Sequence, residues 1–114
     1  MSDCLFCKIV KKEIPASIVY EDEAILAFDD IRPQAPVHTL IIPKEHISTL
    51  KEASDNHAEL LGRILIKIRD LARLKEIDRS GFRVVLNNGP DSGQEIFHLH
   101  FHLLGGRRLG WPPG

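Results

Sequence analysis

The chain contains the stretch His98-Leu99-His100-Phe101-His102-Leu103-Leu104, in which three histidines alternate with apolar residues. Successive side chains of an extended strand point to opposite faces of a sheet. The alternation therefore predicts a strand over about residues 97–104, with three imidazoles on one face and apolar side chains on the other. One face is suited to chemistry and the other to a hydrophobic core.

The remaining patterns predict an α+β domain. Short apolar runs predict further strands at residues 18–21, 24–28, 39–42 and 82–87. Ser54 or Asp55 is expected to cap a long helix that extends to about Lys75, and Pro15 limits residues 1–16 to a short N-terminal helix. This order predicts a single domain over residues 1–114, with a mostly antiparallel five-stranded sheet, one long helix and one short helix.

The long helix has a wide apolar stripe. Helical spacing predicts a core face made of Leu61, Ile64, Leu65, Ile68, Leu71 and Ala72. Leu60, Ile66 and Leu74 widen that stripe beyond what one small sheet needs. The simpler alternative is that the whole apolar stripe packs into the core of a single subunit. We favour a second subunit on this flank, because wide apolar patches on small proteins tend to be interfaces, and we expect a homodimer.

Charge and hydropathy exclude several classes of protein. The chain has 114 residues and a net charge of −1, so it lacks the excess of positive charge that is typical of proteins that bind nucleic acid or an anionic membrane. No apolar run approaches the length of a membrane-spanning helix, and the first residues lack the layout of a signal peptide. We therefore expect a cytoplasmic protein without nucleic-acid or membrane partners.

Three uses compete for the histidines. A purely structural role fits poorly with three imidazoles on one face, whereas a metal site and nucleophilic catalysis both fit. The preceding loop, residues 87–95, serves either use. Asp91 and Glu95 offer carboxylates for a metal, while the backbone of Gly93 and Gln94 and the side chain of Asn87 offer hydrogen-bond donors for a phosphate.

Residues along nearly the whole chain carry a family resemblance. The histidine stretch fits the signature His-φ-His-φ-His-φ-φ without a mismatch, where φ is apolar. The similarity extends to Ile14-Pro15-Ala16, Asp30-Ile31, Pro33-Gln34-Ala35-Pro36-Val37-His38, Ile42-Pro43-Lys44, Gly93-Gln94 and Trp111-Pro112-Pro113-Gly114. The chain thus resembles the histidine triad (HIT) superfamily, in its histidine triad nucleotide-binding (Hint) branch, and a HIT-like fold is expected.

The resemblance implies an enzyme that hydrolyses purine nucleoside phosphoramidates, such as adenosine 5′-phosphoramidate, to the monophosphate and an amine. His100 would be the nucleophile and would form a nucleotidyl-histidine intermediate. His102 would contact the phosphate oxygens. His98, with His38 behind it, would orient His100 and help to manage the proton of the leaving amine. This chemistry requires no metal.

The same resemblance implies the nucleotide contacts. Asp30 would hydrogen-bond the ribose hydroxyls, and Phe6, Phe28 and Ile31 would form an apolar slot for the base. The phosphate and its surroundings would be held by Asn87, Gly93 and Gln94.

Two positions depart from the animal Hint proteins. Position 95 is Glu, where those proteins carry a serine that assists the leaving group. The resemblance would place this carboxylate beside the phosphate, and we expect it to favour amine-bearing leaving groups. Asp29 replaces a histidine, so we expect altered details in the base slot.

Two other functions use the same site. One is a nucleotide-binding regulatory protein whose hydrolysis is incidental and whose task is to bind a partner. The other is a dinucleoside polyphosphate hydrolase or nucleotidyl transferase of a sister HIT branch, against which the short chain and the Trp-Pro-Pro-Gly ending argue.

Cys4 and Cys7 form a second constellation. A redox dithiol would need a strand before it, which is missing, so the alternatives are two packed thiols or a zinc site. Zinc needs two more ligands, for which His46 and His98 are the best candidates. Several bacterial relatives carry such a Cys₂His₂ site. The zinc would be structural rather than catalytic.

Overall fold

A computed structural model describes residues 3–114 and shows an α+β fold. One antiparallel sheet contains the five strands β1 (Ile18–Glu21), β2 (Ile25–Asp29), β3 (Val37–Pro43), β4 (Phe82–Leu86) and β5 (Phe101–Gly105), in the order β1-β2-β3-β5-β4. The α-helices are α1 (Leu5–Val10) and α2 (Ala58–Leu74). The predicted fold class is confirmed, and β5 lies between β3 and β4, inside the sheet.

Strand β5 begins four residues later than the histidine pattern predicts. Its pairing with β3 and β4 starts at Phe101, so His98 and His100 precede the strand. The physical reason is a competing partner: the Leu99 N–H donates to the carbonyl of Ile47 at 2.6 Å, in the loop after β3, instead of joining the ladder. The predicted start at residue 97 is therefore wrong.

The predicted division into two faces is confirmed. Leu99, Phe101 and Leu103 are buried in the core between the sheet and α2. The opposite face has a second core, which α1 covers and which contains Phe6, Ile9, Leu26, Phe28, Leu40 and Ile42. The imidazole rings of His98 and His100 both contact Phe6, so they lie on the α1 side of the sheet. Apolar packing on one side thus positions the histidines on the other.

Helix α2 starts later than its capping residue predicts. Ser54 caps a 3₁₀ turn at Asp55–His57, and α2 follows at Ala58. The residues buried on α2 are Ile64, Ile68, Leu71 and Ala72. Leu65 was expected in the core but is 50% exposed. It lies about 100° around the helix from Ile64, at the margin of the stripe that the sheet covers.

The three residues of α2 that were expected to contact a second subunit differ in their solvent exposure. Leu60 is half-buried and packs against the α2-side core, whereas Ile66 and Leu74 are exposed. The edge strand β4 exposes Phe82 and Val84.

Within residues 3–114, no helix combines the length and the apolar character needed to cross a membrane.

Candidate active site and metal cluster

The protonation of His100 is set by a main-chain carbonyl. The Nδ1 atom of His100 lies 2.8 Å from the carbonyl oxygen of His98. A carbonyl only accepts hydrogen bonds, so Nδ1 carries the proton and Nε2 carries the lone pair. His100 is 7% exposed, and the ring of Phe6 packs edge-on against it at 5.1 Å between centroids. A neutral imidazole with a fixed Nε2 lone pair is suited to nucleophilic attack.

A second chain of hydrogen bonds sets the protonation of His102. The Gln34 N–H donates to Nδ1 of His38 at 3.0 Å, which places the proton of His38 on Nε2. That nitrogen lies 2.9 Å from Nδ1 of His102 and 3.5 Å from a carboxylate oxygen of Asp30. Since His102 accepts through Nδ1, its own proton is on Nε2. His102 thereby presents an N–H donor suited to a phosphate oxygen.

Burial keeps these imidazoles neutral. It lowers the pKa values of His38, His98 and His100 below the usual histidine value. Burial, together with the neighbouring His100 and His38, lowers the pKa of His102 to about 4. A neutral nucleophile and a neutral donor are therefore both present at pH 7. The rings of His100 and His102 are 4.9 Å apart between centroids, close enough to act on one phosphate.

The pKa of His102 predicts acid sensitivity of the fold. Its folded value of about 4 lies below the unfolded value of 6.5, so the unfolded chain binds more protons between these pH values. The contribution to stability is complete above pH 6.5 and is lost as the pH falls towards 4. We expect urea unfolding to show a free-energy loss of about 3 kcal/mol from this group. A His102→Asn variant should lose that part of the pH dependence, and an unchanged slope would contradict the assignment.

The contacts of His38 and His98 differ from those expected. His38 contacts His102 and does not lie behind His98. His98 orients His100 through its main-chain oxygen, while its ring points to the cysteines. The sequence pattern brought these residues to one region but did not distinguish ring contacts from main-chain contacts.

Asp29 is turned away from the candidate base slot. It accepts a hydrogen bond from the Thr39 hydroxyl at 2.8 Å and pairs with Lys75, the C-cap residue of α2. Strand alternation places it on the α2 face with Ala27, opposite Phe28. The expectation that Asp29 alters the base slot is therefore wrong.

The loop before the histidines is built around Gln94. Its side-chain oxygen accepts from the Gly89 N–H at 2.8 Å, and its Nε2 donates to the carbonyls of Ser48 and Ile96 at 3.1 and 3.0 Å. Gly89 and Gly93 have φ angles of +84° and +87°, which favour glycine. Gln94 thus shapes the loop with its side chain. Its main-chain N–H donates to the Gly89 carbonyl at 3.3 Å and that of Gly93 to the Pro90 carbonyl at 3.0 Å, so the N–H groups expected to bind a phosphate are already hydrogen-bonded within the loop. Asn87 is half-buried after β4, and Glu95 is exposed.

The residues expected to bind the base are only partly together. Phe6 and Phe28 pack edge-on at 5.5 Å between centroids and are almost fully buried. Ile31 is 89% exposed, in the loop after β2. Asp30 accepts from the Arg32 N–H at 2.8 Å and keeps its second oxygen near His38. Phe6 of this pair packs against His100, Asp30 lies near His38, and Ile31 is in the exposed loop after β2.

The four predicted zinc ligands form one cluster. Their ligand atoms all lie within 4.8 Å of one another. Nδ1 of His98 lies 3.4 Å from Cys4 Sγ and 3.6 Å from Cys7 Sγ, and Nδ1 of His46 lies 3.3 Å from Cys7 Sγ. The two Nδ1 atoms are 3.2 Å apart. His98 donates through Nε2 to the carbonyl of Pro43 at 2.8 Å, so its lone pair faces the sulfurs.

These separations fit a tetrahedral zinc ion. With Zn–S bonds of about 2.3 Å and Zn–N bonds of about 2.05 Å, tetrahedral angles require ligand atoms roughly 3.3 to 3.8 Å apart. The four distances of 3.2 to 3.6 Å match that requirement closely. Both cysteines are free, and the set has no open position for a substrate. The cluster is therefore suited to a structural zinc ion.

Main-chain groups are the functional partners that sequence reasoning missed. The Gln34 N–H and the carbonyls of Pro43 and His98 each fix one histidine ring. Every residue type has a main-chain carbonyl, and all but proline have an N–H. These contacts therefore cannot be predicted from the residue types in the sequence.

Comparison with known proteins defines the class of this protein. The HIT domain model matches residues 11–109, and the chain belongs to the HIT domain family. A crystal structure of a HIT family hydrolase from Legionella pneumophila is 55% identical, with a TM-score of 0.96 over 97% of this chain and 99% of that one. An uncharacterized HIT-like protein of Synechococcus elongatus is 53% identical, covering 98% of this chain and 97% of its own length.

A further relative bears on the metal cluster. A protein of Zea mays named 14 kDa zinc-binding protein is 50% identical to this chain, covering 99% of it and 89% of its own length. The match extends beyond the family model, which begins at residue 11 and so leaves out Cys4 and Cys7. The similarity therefore includes the N-terminal segment that carries the sulfur ligands.

Proposed function

We propose that this protein is a Hint-branch hydrolase of purine nucleoside 5′-phosphoramidates, with His100 as the nucleophile. The observation that carries the proposal is the hydrogen bond from His100 Nδ1 to the His98 carbonyl, which leaves Nε2 as a neutral nucleophile. A neutral group approaches a phosphate without charge repulsion. Membership of the HIT domain family and similarity to a HIT family hydrolase support hydrolytic chemistry.

The reaction divides into two displacements at phosphorus. First, Nε2 of His100 attacks the α-phosphorus, the P–N bond breaks, and the nitrogen takes up a proton from solvent and leaves as an amine. The His98 carbonyl stabilises the positive charge that develops on the imidazole. Second, water attacks the nucleotidyl-histidine, the bond to Nε2 breaks and the monophosphate is released. The Nε2–H of His102 donates to a phosphate oxygen in both steps, which is the role of a fixed, neutral donor.

The nucleotide is expected to lie beside α1. We expect Phe6 and Phe28 to line the apolar slot for the base and Asp30, one residue beyond β2, to hydrogen-bond the ribose hydroxyls. Asn87 would contact the phosphate from the other side, whereas the N–H groups of Gly93 and Gln94 are bonded within their own loop. Glu95 is exposed at this edge, where its carboxylate would meet a leaving group that carries an amine.

We propose a structural zinc ion in the Cys4–Cys7–His46–His98 cluster and a homodimer through α2 and β4. Zinc is supported by the geometry of the four ligands and by the zinc-binding relative. The dimer is supported by the exposed Ile66 and Leu74 on α2 and by the exposed Phe82 and Val84 on an edge strand. Neither the zinc ion nor the second subunit is proposed to take part in the bond changes at His100.

Trapping the intermediate tests the proposal directly. Mixing the protein with adenosine 5′-phosphoramidate and quenching within one turnover should yield protein that carries one adenylyl group on His100. The quench must be alkaline, because phosphorus–imidazole bonds are labile in acid. Peptide mass spectrometry locates the group. Adenylylation of another residue would contradict covalent catalysis by His100.

A further inference from the structure

His98 belongs to the metal cluster and to the histidine triad at once. Its ring Nδ1 lies 3.4 Å from Cys4 Sγ, and its main-chain oxygen lies 2.8 Å from His100 Nδ1. The ring is also fixed through Nε2, which donates to Pro43. A ligand that holds the ring of His98 therefore also holds the peptide group that orients the nucleophile.

Helix α1 provides a second connection. Cys4 caps this helix and Cys7 lies within it, so both sulfur ligands and Phe6 move with it. Phe6 contacts the rings of His98 and His100 at 5.9 and 5.1 Å between centroids. A helix of six residues is not stable alone, so its position depends on what it packs against. The buried side chains of α1 and the two sulfurs supply that packing.

We propose that zinc in the Cys4–Cys7–His46–His98 cluster positions Phe6 and His98, and thereby couples zinc occupancy to nucleotide affinity at the triad. This inference rests on the proposed function. Zinc and nucleotide both require the same placement of α1 against the histidines. Coupling between two sites is reciprocal, so each ligand raises the affinity for the other by the same factor. Phe6 is a positioning residue in this scheme.

The coupling differs in one measurable way from a purely structural role of zinc. A zinc ion with a purely structural role stabilises the folded chain and leaves the affinity of the folded protein for AMP unchanged. Positional coupling changes that affinity, and it also changes the affinity for zinc when AMP is bound. Both quantities are equilibrium constants of folded protein, and neither depends on turnover.

The test uses a variant with weakened zinc binding. His46→Asn keeps Cys4, Cys7 and His98 and is expected to bring the zinc affinity into the range of a competing chromophoric chelator. We expect saturating AMP to raise its zinc affinity on the order of tenfold, and zinc to raise its AMP affinity equally. Adding Phe6→Leu retains the same ligands and should remove most of the coupling.

The outcomes separate the coupling from the proposed function. Equal zinc affinity with and without AMP overturns the coupling, and an undiminished effect with Phe6→Leu overturns the positioning role. If the zinc-free His46→Asn protein unfolds, the rate of zinc loss to excess chelator is compared instead, with and without AMP, in the native chain and in Phe6→Leu. A rate that AMP slows equally in both proteins overturns the proposal. Failure of the zinc-loaded native protein to bind AMP overturns the proposed function, and this inference with it.

Discussion

Replacing His100 by asparagine is expected to lower the hydrolysis of adenosine 5′-phosphoramidate by at least about 10⁴-fold, the scale on which removing a nucleophile acts in enzymes. Asparagine retains an N–H that can donate to the His98 carbonyl, but it has no nucleophilic nitrogen. AMP affinity should therefore change little, so the loss falls on kcat. Steady-state kinetics and calorimetric AMP titration measure the two quantities separately.

A matched control is His57→Asn. His57 lies in the 3₁₀ turn before α2 and pairs with Glu45, away from the triad, so its variant should retain full activity. If native protein and His100→Asn show the same negligible rate while both bind AMP, the enzyme assignment fails. The regulatory nucleotide-binding function would then stand. Preferential cleavage of a dinucleoside polyphosphate by the native protein would instead favour the sister branch.

Removing the zinc cluster is expected to have the largest effect on stability. Cys7→Ala should lower the free energy of unfolding by on the order of 3 kcal/mol, because a zinc ion held by this cluster would connect α1 to the loop after β3 and to His98. Urea unfolding monitored by circular dichroism measures this loss. Freshly purified native protein should contain one zinc ion per chain by elemental analysis.

Chelation supplies the internal control for that experiment. A strong chelator should destabilise the native protein about as much as Cys7→Ala does, and it should leave Cys7→Ala unchanged. Lys11→Ala, at the exposed end of α1, should match the native protein in zinc content and stability. If native protein contains no zinc and the chelator does not change its stability, the zinc site is wrong, and Cys4 and Cys7 are simply two packed thiols.

The local pattern of the sequence predicted much of the fold. Alternation of apolar residues from Leu99 to Leu103 predicted which of these side chains enter a hydrophobic core, because alternate residues of an extended chain point to the same side. The start of β5 was not predictable, since the Leu99 N–H finds its acceptor at Ile47, more than fifty residues earlier in the chain. Similarly, Leu65 has the spacing of a core residue, and only the extent of the sheet decides that it is exposed.

The candidate site was predictable in its residue types but not in its connections. Cys4, Cys7, His46 and His98 were expected as one set, and they form one cluster. The pairing of His38 with His102 was missed, because it depends on the turn that brings the Gln34 N–H onto His38. Asp29 was misplaced because strand parity at the end of β2 turns it towards Thr39 and Lys75.

The amide hydrogen of Gln34 has a consequence for how this protein tolerates mutation. Because the contact to His38 is made by the main chain, many side chains can replace glutamine at this position and leave the tautomers of His38 and His102 unchanged. Alanine scanning would therefore pass over it as neutral. Proline alone removes the hydrogen, and it would leave the proton of His38 free to move to the other ring nitrogen. The contact to His38 thus requires of position 34 only a main-chain N–H, which every residue but proline supplies.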